Sequence, residues 1–467
     1  MTDLALLVPE IVLVTIALGL ILVARHVQRA QTAATWVVFA AVAAIGLGWA
    51  FSAEAPDGFG GTIAGDGYAR FFDVLFAATL ALAALLSIKH VDRERVRPAE
   101  FYALLLLAST GMLLAASAMD LLILYLGLEL MTLCSYVLVG ITREKSASTE
   151  AAIKYFLQGS FASALMLYGI GLTYGVTGAT GFRSIASAAS ERGVEQNPLL
   201  LAGVVLVVAG LAFKIAAVPF HAWAPDAYQG ATAPVAAFLA AGSKAAGLAA
   251  LVRVCLVGFA PEHRIWSNVL VALALMSMAA GSLLALSQTN MKRLLAYSSI
   301  SHAGYALLGL IPGTPAGASA TMTYAFVYAF MTLGAFGVVI ALDQRGEDLE
   351  GFHGLAKTNP GTAALMFLFL LSLTGIPPTA GFAAKFAVIL SVVSAGHIGL
   401  AVLAVACSVV SAFFYLRVAV FMYMTEPKGE APGRFPATVS VALAFAALVT
   451  IIGGVFPDMF AAWTVPP

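Results

Sequence analysis

About fourteen apolar runs, each of roughly 20 residues, divide this chain and constrain its fold more than any other feature. Only 10% of the 467 residues are charged, against about 25% in a soluble domain. Because lipid offers no hydrogen-bond partners, a chain that crosses it forms helices or a closed barrel. The runs are continuous rather than short and alternating, so they predict an all-α polytopic membrane protein. The predicted spans are 5–24, 33–52, 68–88, 99–117, 119–141, 152–178, 199–223, 232–258, 266–287, 294–311, 316–342, 361–396, 399–424 and 438–464.

Lysine and arginine between the spans indicate which side of the membrane each connection faces. Odd-numbered connections hold most of them, ending with Arg434 before the last span. Even-numbered connections hold only Arg70, Arg183, Arg192 and Arg264. Since positive charge is retained in the cytoplasm, we predict cytoplasmic odd-numbered connections and both termini outside.

The remaining basic side chains lie inside predicted spans, where a charge costs several kcal/mol on any scale. These residues are Lys214, Lys244, Arg253, Lys385 and Arg417. Arg253 lies toward the outer end of its span, and we expect its long side chain to extend to that interface. Arg417 is nearer mid-span but has no broken helix beside it. The three lysines are therefore the candidates for an ion path.

Prolines interrupt two spans close to a lysine. Pro219 follows Lys214, whereas Pro377 and Pro378 precede Lys385. A proline lacks a backbone donor, and the carbonyls it frees at this depth must be buried in protein or face internal water. An ordinary proline kink is the alternative at each site. A lysine beside both breaks favours the discontinuous helices that many transporters use.

Two halves of the chain show local self-similarity. The matched pairs, at offsets of 169 to 171 residues, are Tyr136 with Tyr305, Tyr155 with Tyr324, and Lys214 with Lys385. Each copy would hold five spans, an odd number, so the two copies would insert with opposite topology. We expect three N-terminal helices in 1–98, a first five-helix repeat in 99–258, a second in 266–424, and a loop with a last helix in 425–467.

Glu129 lies near the middle of its span, where a carboxylate is either protonated or paired with a cation. Lys214 is its natural partner. If the distance between the two changed, the lysine's affinity for a proton would change too, which makes the pair a switchable proton carrier. A static ion pair is the competing interpretation. It explains less well Lys244 and Lys385, which have no acidic neighbour in their own spans.

Other titratable residues lie in or beside the spans. Histidine as a residue type titrates near physiological pH and can pass protons, which makes His221 and His302 candidates, but a hydrogen-bonded packing role explains each equally well. For Glu10, in the first span, we expect a peripheral or helix-contact role. For Asp226, in the turn PDAYQG, we expect a cap on the following helix.

Signatures of nucleotide and redox chemistry are missing from the sequence. Cys134, Cys255 and Cys407 stand singly, without metal or disulfide spacing. The sequence contains no P-loop and no dinucleotide-binding glycine pattern. Formal net charge is zero and there is no basic face, which argues against nucleic acid. If the chain pumps ions, the energy comes from a gradient or from a partner subunit.

Three long segments resemble the antiporter-like membrane subunits of respiratory complex I, which are related to subunits of multisubunit cation/proton antiporters. The segments are FKIAAVPFHAWAPDAYQGATAPVAAFLAAGSKAA, KRLLAYSSISHAGYALLG and LTGIPPTAGFAAKF. The resemblance covers essentially the whole chain. It implies fourteen helices, two inverted five-helix repeats, and broken helices seven and twelve.

The resemblance also implies a proton relay and its surroundings. The relay residues would be Glu129, Lys214, Lys244 and Lys385, supported by Lys154, His221 and His302. It implies no cofactor on this chain, because NADH, FMN, iron–sulfur clusters and quinone bind to partner subunits. It implies partners in the membrane arm, especially the antiporter-like subunit M and subunit K, surrounding lipid, and a multi-pass location in the bacterial inner membrane with periplasmic termini.

The expected function is proton translocation within NADH:quinone oxidoreductase, driven by quinone reduction in other subunits. Protons would enter from the cytoplasm, be held on Lys244 and leave near Lys385. One alternative is a subunit of a multisubunit cation/proton antiporter, which copurifying chains would distinguish. The other is a membrane scaffold whose ion pairs only orient helices.

Overall fold

A bundle of helices accounts for nearly all of the structure, a computed structural model that describes residues 2–51, 57–192, 197–428 and 435–467. Arg434, one of the charges used to predict orientation, lies outside the described residues. The helices are α1 (Thr2–Leu6), α2 (Val8–Leu22), α3 (Ala30–Phe51), α4 (Gly67–Arg93), α5 (Pro98–Ser117), α6 (Leu121–Val139), α7 (Ser146–Thr177), α8 (Phe182–Arg192), α9 (Pro198–Lys214), α10 (Trp223–Gly230), α11 (Ala233–Phe238), α12 (Lys244–Arg253), α13 (His263–Ala285), α14 (Met291–Leu310), α15 (Pro315–Leu342), α16 (Leu355–Thr358), α17 (Pro360–Thr374), α18 (Ala380–Ser394), α19 (Ile398–Met424), α20 (Ala437–Val455) and α21 (Pro457–Ala461).

The helices match the predicted membrane spans. In the described residues, ten helices are long and apolar enough to cross a membrane, and shorter apolar helices accompany them. Helix α2 supplies the first span, and α14, twenty residues long, supplies the tenth. Each of the fourteen predicted spans therefore contains at least one helix. The chain is a polytopic all-α membrane protein.

Two predicted spans are broken into half-helices. The seventh divides into α9 and α10, separated by 215–222, a segment that contains Pro219. The twelfth divides into α17 and α18, where Gly375 ends α17 with a φ of 85°. A positive φ at this position suits glycine, which lacks a Cβ. Both breaks fall at the prolines that predicted them.

The centre of the bundle is formed by α15 and by a continuous run of helix from Ala233 to Gly258. The most apolar stretches of both are entirely buried. In this run, π-helical turns at Leu239–Ser243 and Val254–Gly258 flank α12. Such turns are rare and often occur at functional positions. Lys244, the first residue of α12, thus lies in the middle of the protein.

Close helix packing brings α5 against α6. A Cβ built on Gly111 would lie 2.5 Å from the Gly127 carbonyl oxygen, and one on Gly127 would lie 2.9 Å from the Gly111 carbonyl. Small residues let helix backbones approach in lipid, where no hydrophobic force drives helices together. This contact fixes the position of α6, which carries Glu129.

A small β-structure joins the ends of several helices. Strands β1 (Asp57–Gly58) and β2 (Ile63–Ala64) pair antiparallel, with Asp57 opposite Ala64. Isolated bridges link Ile63 to Ala118 and Asp120 to Gly181. These pairings tie the segment before α4 to the turn between α5 and α6.

Candidate proton-relay site

Glu129 and Lys214 form a largely buried ion pair. The Asp120 carboxylate caps α6 by accepting from the Leu122 amide at 2.8 Å, and α6 then carries Glu129 inward. Lys214 is the last residue of α9, with 3% of its surface exposed. Its ammonium nitrogen Nζ lies 3.0 Å from a Glu129 carboxylate oxygen. The pairing predicted from sequence is therefore present.

Hydroxyl groups complete the surroundings of this pair. Ser163 on α7 donates to the Glu129 carboxylate at 2.5 Å. The Lys214 ammonium donates to the Thr132 hydroxyl at 2.7 Å, one turn beyond Glu129 on α6. Each charged group thus has a second polar partner. These hydrogen bonds help to compensate the cost of burying the two charges.

Lys244 has no carboxylate partner. With 2% of its surface exposed, it donates to both the carbonyl and the hydroxyl of Ser299 on α14. The Ser299 hydroxyl also lies 3.4 Å from the Tyr228 hydroxyl, and the Tyr328 ring centre is 5.7 Å from the Lys244 nitrogen. Across the described ranges, no ion pair includes Lys244. Neutral oxygens and an aromatic face are its surroundings, and they suit a lysine that gains and loses a proton.

His302 lies in a hydrogen-bonded row between the second and third lysines. Its Nδ1 is 2.7 Å from the Tyr324 hydroxyl and its Nε2 is 3.2 Å from the Tyr415 hydroxyl. Tyr415 in turn hydrogen-bonds the hydroxyl of Ser298, the residue beside Ser299. Sequence reasoning missed both tyrosines, because a tyrosine in an apolar span has no signal that separates it from a core residue.

Lys385 occupies the second helix break. Its ammonium donates to the Thr374 carbonyl at 2.9 Å, the Leu373 carbonyl at 3.3 Å and the Ser408 hydroxyl at 3.1 Å. These two carbonyls end α17 and have lost their helical partners, so the lysine satisfies them. The Tyr305 ring centre is 4.5 Å away. Lys385 thus satisfies the carbonyls that the helix break leaves without partners.

The two broken-helix lysines occupy different positions. Lys214 ends the half-helix before its break, whereas Lys385 lies on the half-helix after its break. Lys385 binds freed carbonyls, while Lys214 binds a carboxylate and a hydroxyl. At the second break the Thr379 hydroxyl donates to the Ile376 carbonyl at 2.7 Å, as expected for a polar residue near freed carbonyls. At the first, the Val218 amide donates to the Ser277 hydroxyl at 2.8 Å.

Two of the supporting residues lie outside this buried row. His221 is half-buried in the first break, and its Nδ1 has no hydrogen-bond partner among the described residues. Lys154 is partly exposed and pairs with Glu150 at 2.7 Å and with Asp226 at 3.1 Å. The structure therefore brings together Glu129, Lys214, Lys244, His302 and Lys385 as a succession of buried polar groups. It leaves Lys154 and His221 at its margin.

Asp226 does not cap the following helix, so that expectation was wrong. It lies inside α10 and pairs with two basic side chains at once. One carboxylate oxygen contacts Lys154, and Arg293 lies 2.8 Å from the other. Partial burial opposes ionisation of Asp226, but hydrogen bonds and attraction from Arg293 and Lys154 outweigh it and lower the pKa of the carboxyl. Asp226 therefore ties α7, α10 and α14 together.

The expectation that Arg253 extends to the outer interface was also wrong. Arg253 is 1% exposed and forms a two-pronged pair with Asp66, with both N–O distances 2.8 Å. Its Nε donates to the Ala116 carbonyl at 2.9 Å, and its guanidinium lies 4.5 Å from the Tyr68 ring centre. A planar fork matched to one carboxylate lets the residue stay buried.

Asp66 is held ionised by this contact. Burial raises the pKa of its carboxyl, but the hydrogen bonds and charge of Arg253 outweigh burial, so the pKa lies below 3.8. Asp66 also caps α4 by accepting from the Ala69 amide at 2.9 Å. One carboxylate thus joins the start of α4 to the end of α12.

Arg417 has a structural contact that the sequence did not reveal. Its two terminal nitrogens donate to the carbonyls of Leu286 and Gln288, each at 2.7 Å. These carbonyls follow the end of α13, where a helix leaves acceptors without partners. Arg417 therefore caps a helix and lies apart from the lysine row.

Glu10 is more deeply placed than expected. It is 6% exposed on α2, and its Oε2 has no hydrogen-bond partner among the residues described.

In the described ranges, no group of three or more His, Cys, Asp or Glu side chains is arranged to bind a metal ion.

Comparison with known proteins identifies the family. A family model described as "NADH:quinone oxidoreductase/Mrp antiporter, TM" matches residues 118–411, which include every residue of the buried row. Subunit N 2 of NADH-quinone oxidoreductase from Rhizobium meliloti is 45% identical over 97% of this chain and 95% of its own length. Subunit N from Trichlorobacter lovleyi is 40% identical over 98% of this chain and 95% of its own.

Solved structures agree with this result. A chain of respiratory complex I from Thermus thermophilus superposes with a TM-score of 0.83 at 33% identity, covering 97% of this chain and 98% of that one. A chain of an archaeal membrane-bound sulfane sulfur reductase gives a TM-score of 0.88 at 26% identity, covering 99% and 96%. The chain belongs to the NADH:quinone oxidoreductase/Mrp antiporter transmembrane family, together with the subunit N proteins.

Proposed function

We propose that this chain is a proton-translocating membrane-arm subunit of NADH:quinone oxidoreductase. The observation that carries the proposal is the succession of buried groups Glu129–Lys214, Lys244, His302 and Lys385. Ionisable groups inside a membrane are costly and mark ion paths. Relatives of 40–45% identity along nearly the whole chain are named as subunit N of that enzyme.

In the proposed mechanism, protons enter from the cytoplasm, are held on Lys244 and leave outward near Lys385. The Glu129–Lys214 pair controls the central lysine through charge. When the two separate, Lys214 loses its carboxylate partner and releases its proton more readily, which changes the field at Lys244. Lys154 and His221 serve as supporting residues at the margin of the path. The driving reaction, quinone reduction with NADH, FMN and iron–sulfur clusters, takes place on partner subunits.

The proposal includes an arrangement of the chain. Three N-terminal helices in 1–98 precede inverted five-helix repeats in 99–258 and 266–424, and a loop with a last helix follows in 425–467. The fourth span of each proposed repeat is broken, which supports this plan. The proposed location is a bacterial inner membrane, and the distribution of Lys and Arg supports periplasmic termini. Its proposed partners are the other membrane subunits, especially M and K.

Neutralising one residue of the pair tests the proposal. In the assembled complex in proteoliposomes, we expect Lys214→Ala or Glu129→Ala to abolish proton pumping. The control is Lys357→Ala, which removes an exposed lysine paired with Glu426 at 2.6 Å. Full pumping by a normally assembled Lys214→Ala complex would overturn the proposal and favour the scaffold interpretation.

An antiporter subunit is the second candidate, because the family model spans both uses. Identification of the chains that copurify with the protein distinguishes the two. NADH-oxidising and iron–sulfur subunits support the complex I proposal, whereas their absence from an intact preparation contradicts it.

A further inference from the structure

A fourth buried lysine, Lys292 on α14, lies outside the row described above. Only 4% of the Lys292 surface is exposed, although Lys292 is the second residue of α14. Its ammonium donates to the Ala231 carbonyl at 3.1 Å and lies 3.1 Å from a Glu347 carboxylate oxygen. The Glu347 side chain is 47% exposed. The pair therefore joins a solvated carboxylate to a cation inside the protein.

The position of Glu347 is fixed by backbone contacts. Asn290 and Asp348 form a bridge, and the Leu349 amide donates to the Thr289 carbonyl at 2.9 Å. These contacts hold the segment after α15 against the start of α14. Glu347 is thereby kept beside Lys292 by the fold and not only by attraction between their charges.

A small cavity opens on the other side of Glu347. Its volume is about 20 Å³, enough for one water molecule, and its lining includes Glu347, Asp343, Lys89, Arg93 and His90. The His90 Nε2 is buried and has no hydrogen-bond partner among the described residues. A polar group of this kind beside a water-sized space indicates a hydrated entrance.

The helix that carries Lys292 also carries a contact of Lys244. Ser299 follows Lys292 by seven residues on α14, two turns along the same face and about 10 Å away. Thr232, the neighbour of Ala231, has a buried hydroxyl without a partner in the described structure, and the Tyr228 hydroxyl lies 3.4 Å from the Ser299 hydroxyl. Ser299 accepts from Lys244. The same face of α14 thus carries Lys292 near the exposed carboxylate and Ser299 beside the central lysine, with the apolar Leu295 and Ala296 between them.

We propose that Glu347 and Lys292 form the entrance through which protons from the cytoplasm reach Lys244, an inference that rests on the proposed function. The Glu347 carboxylate takes a proton from a hydronium ion of the cytoplasmic water, which leaves neutral water. Lys292 gives one proton to an internal water molecule on the path to Ser299, breaking an N–H bond as an O–H bond forms on that water. It then accepts the proton of Glu347, which returns the carboxylate to its ionised state.

The competing explanation is a structural ion pair between the start of α14 and the segment after α15. Lys357 and Glu426 form such a pair at 2.6 Å, with both side chains more than half exposed. This pair provides a matched control for charge removal. The control variants Lys357→Ala and Glu426→Gln are expected to pump normally.

The first experiment measures proton pumping by the assembled complex in proteoliposomes. Lys292→Ala and Glu347→Gln are each expected to slow pumping by about tenfold or more, the scale of a lost proton-transfer group. Amounts of assembled complex are measured by native gel electrophoresis, and pumping is expressed per assembled complex. Pumping equal to that of the control variants overturns the proposal.

Lys292→Arg separates a proton carrier from a structural cation. Arginine keeps the positive charge and the pairing with Glu347, but its pKa above 12 prevents it from releasing a proton. We expect Lys292→Arg to assemble well and to pump as poorly as Lys292→Ala. Restoration of pumping by arginine would show that only the charge is needed and would overturn the proposal.

Lys244→Ala distinguishes failure of this inference from failure of the proposed function. If Lys244→Ala pumps normally, the proposed function itself is wrong. If Lys244→Ala abolishes pumping while the Lys292 variants resemble the controls, the relay stands and protons enter elsewhere.

Discussion

The Lys214 ammonium lies 3.0 Å from the carboxylate of Glu129, which belongs to a different helix and a distant part of the sequence. Lys214 is almost fully buried, whereas 20% of the Glu129 side chain is exposed. The Glu129 carboxylate is therefore more accessible from outside the chain than the Lys214 ammonium is.

We predict that Glu129→Gln reduces proton pumping by about 10²-fold, because the amide cannot hold Lys214 in its charged state. The measurement is pumping by the assembled complex in proteoliposomes. Glu100→Gln is the control, since Glu100 pairs with exposed Arg97 at 2.8 Å. Equal pumping by the two variants would refute a role for the pair in transport.

The row through His302 gives a second prediction. His302→Phe is expected to leave two buried tyrosine hydroxyls, of Tyr324 and Tyr415, without their ring partner and to cost about 1–3 kcal/mol for each. Pumping is expected to fall with it. His302→Gln restores hydrogen bonding but does not titrate near neutral pH. If His302→Gln pumps normally in the assembled complex, the histidine acts only in packing.

The buried Asp66–Arg253 pair is expected to contribute far more to stability than the exposed Asp57–Arg183 pair, which has the same chemistry. Asp66→Asn leaves a buried guanidinium without its counter-charge and is expected to lower the free energy of unfolding by about 3–5 kcal/mol. Asp57→Asn is the control, because Arg183 is 67% exposed and such pairs contribute about 0–1 kcal/mol. Thermal unfolding in detergent measures both. Equal effects would contradict the burial argument.

The same pair predicts how stability depends on pH. The pKa of Asp66 in the folded protein lies below its ordinary value of 3.8, because the Arg253 contacts outweigh the effect of burial. The stabilisation is therefore complete above that ordinary value and is lost as the pH falls toward the folded pKa. In Asp66→Asn, the loss of stability that comes from protonating Asp66 should be absent. Thermal unfolding at a series of pH values measures this, starting from about pH 6, well above the titration of the carboxyl.

Arg417→Ala is expected to destabilise the protein without a direct effect on proton transfer. Two carbonyls after α13, those of Leu286 and Gln288, lose their donors, at a cost of about 1–3 kcal/mol each if they remain buried. The exposed Arg25 provides the control variant, Arg25→Ala. Unfolding in detergent is the measurement, and an unchanged midpoint for Arg417→Ala would contradict the capping role.

Helix packing at Gly111 gives the last prediction. Gly111→Ala places a Cβ 2.5 Å from backbone atoms of α6, so the helix that carries Glu129 must shift, at a cost of about 1–3 kcal/mol. At Gly171 on α7, a Cβ meets no heavy atom within 4 Å. Gly171→Ala is therefore expected to be neutral or slightly stabilising. Opposite results in thermal unfolding would refute the close-packing argument.

Much of the fold could be predicted from the sequence, because lipid imposes strong rules on apolar length and on broken helices. The fourteen predicted spans each contain a helix, and both breaks fall beside Pro219 and Pro377. The pairing of Glu129 with Lys214 was also predicted, since a buried charge requires a partner. The roles of Arg253 and Asp226 were not predicted correctly, because their partners are distant in sequence.

The sequence by itself determined that this chain crosses a membrane many times and carries lysines at depths where charge is costly. Hydrophobic length and the scarcity of charge are local properties, and the sequence states them directly. Only the tertiary structure decided which groups surround each lysine: a carboxylate at Lys214, Ser299 at Lys244, and freed carbonyls at Lys385. Those contacts join residues far apart in the chain, and packing between helices brings them together.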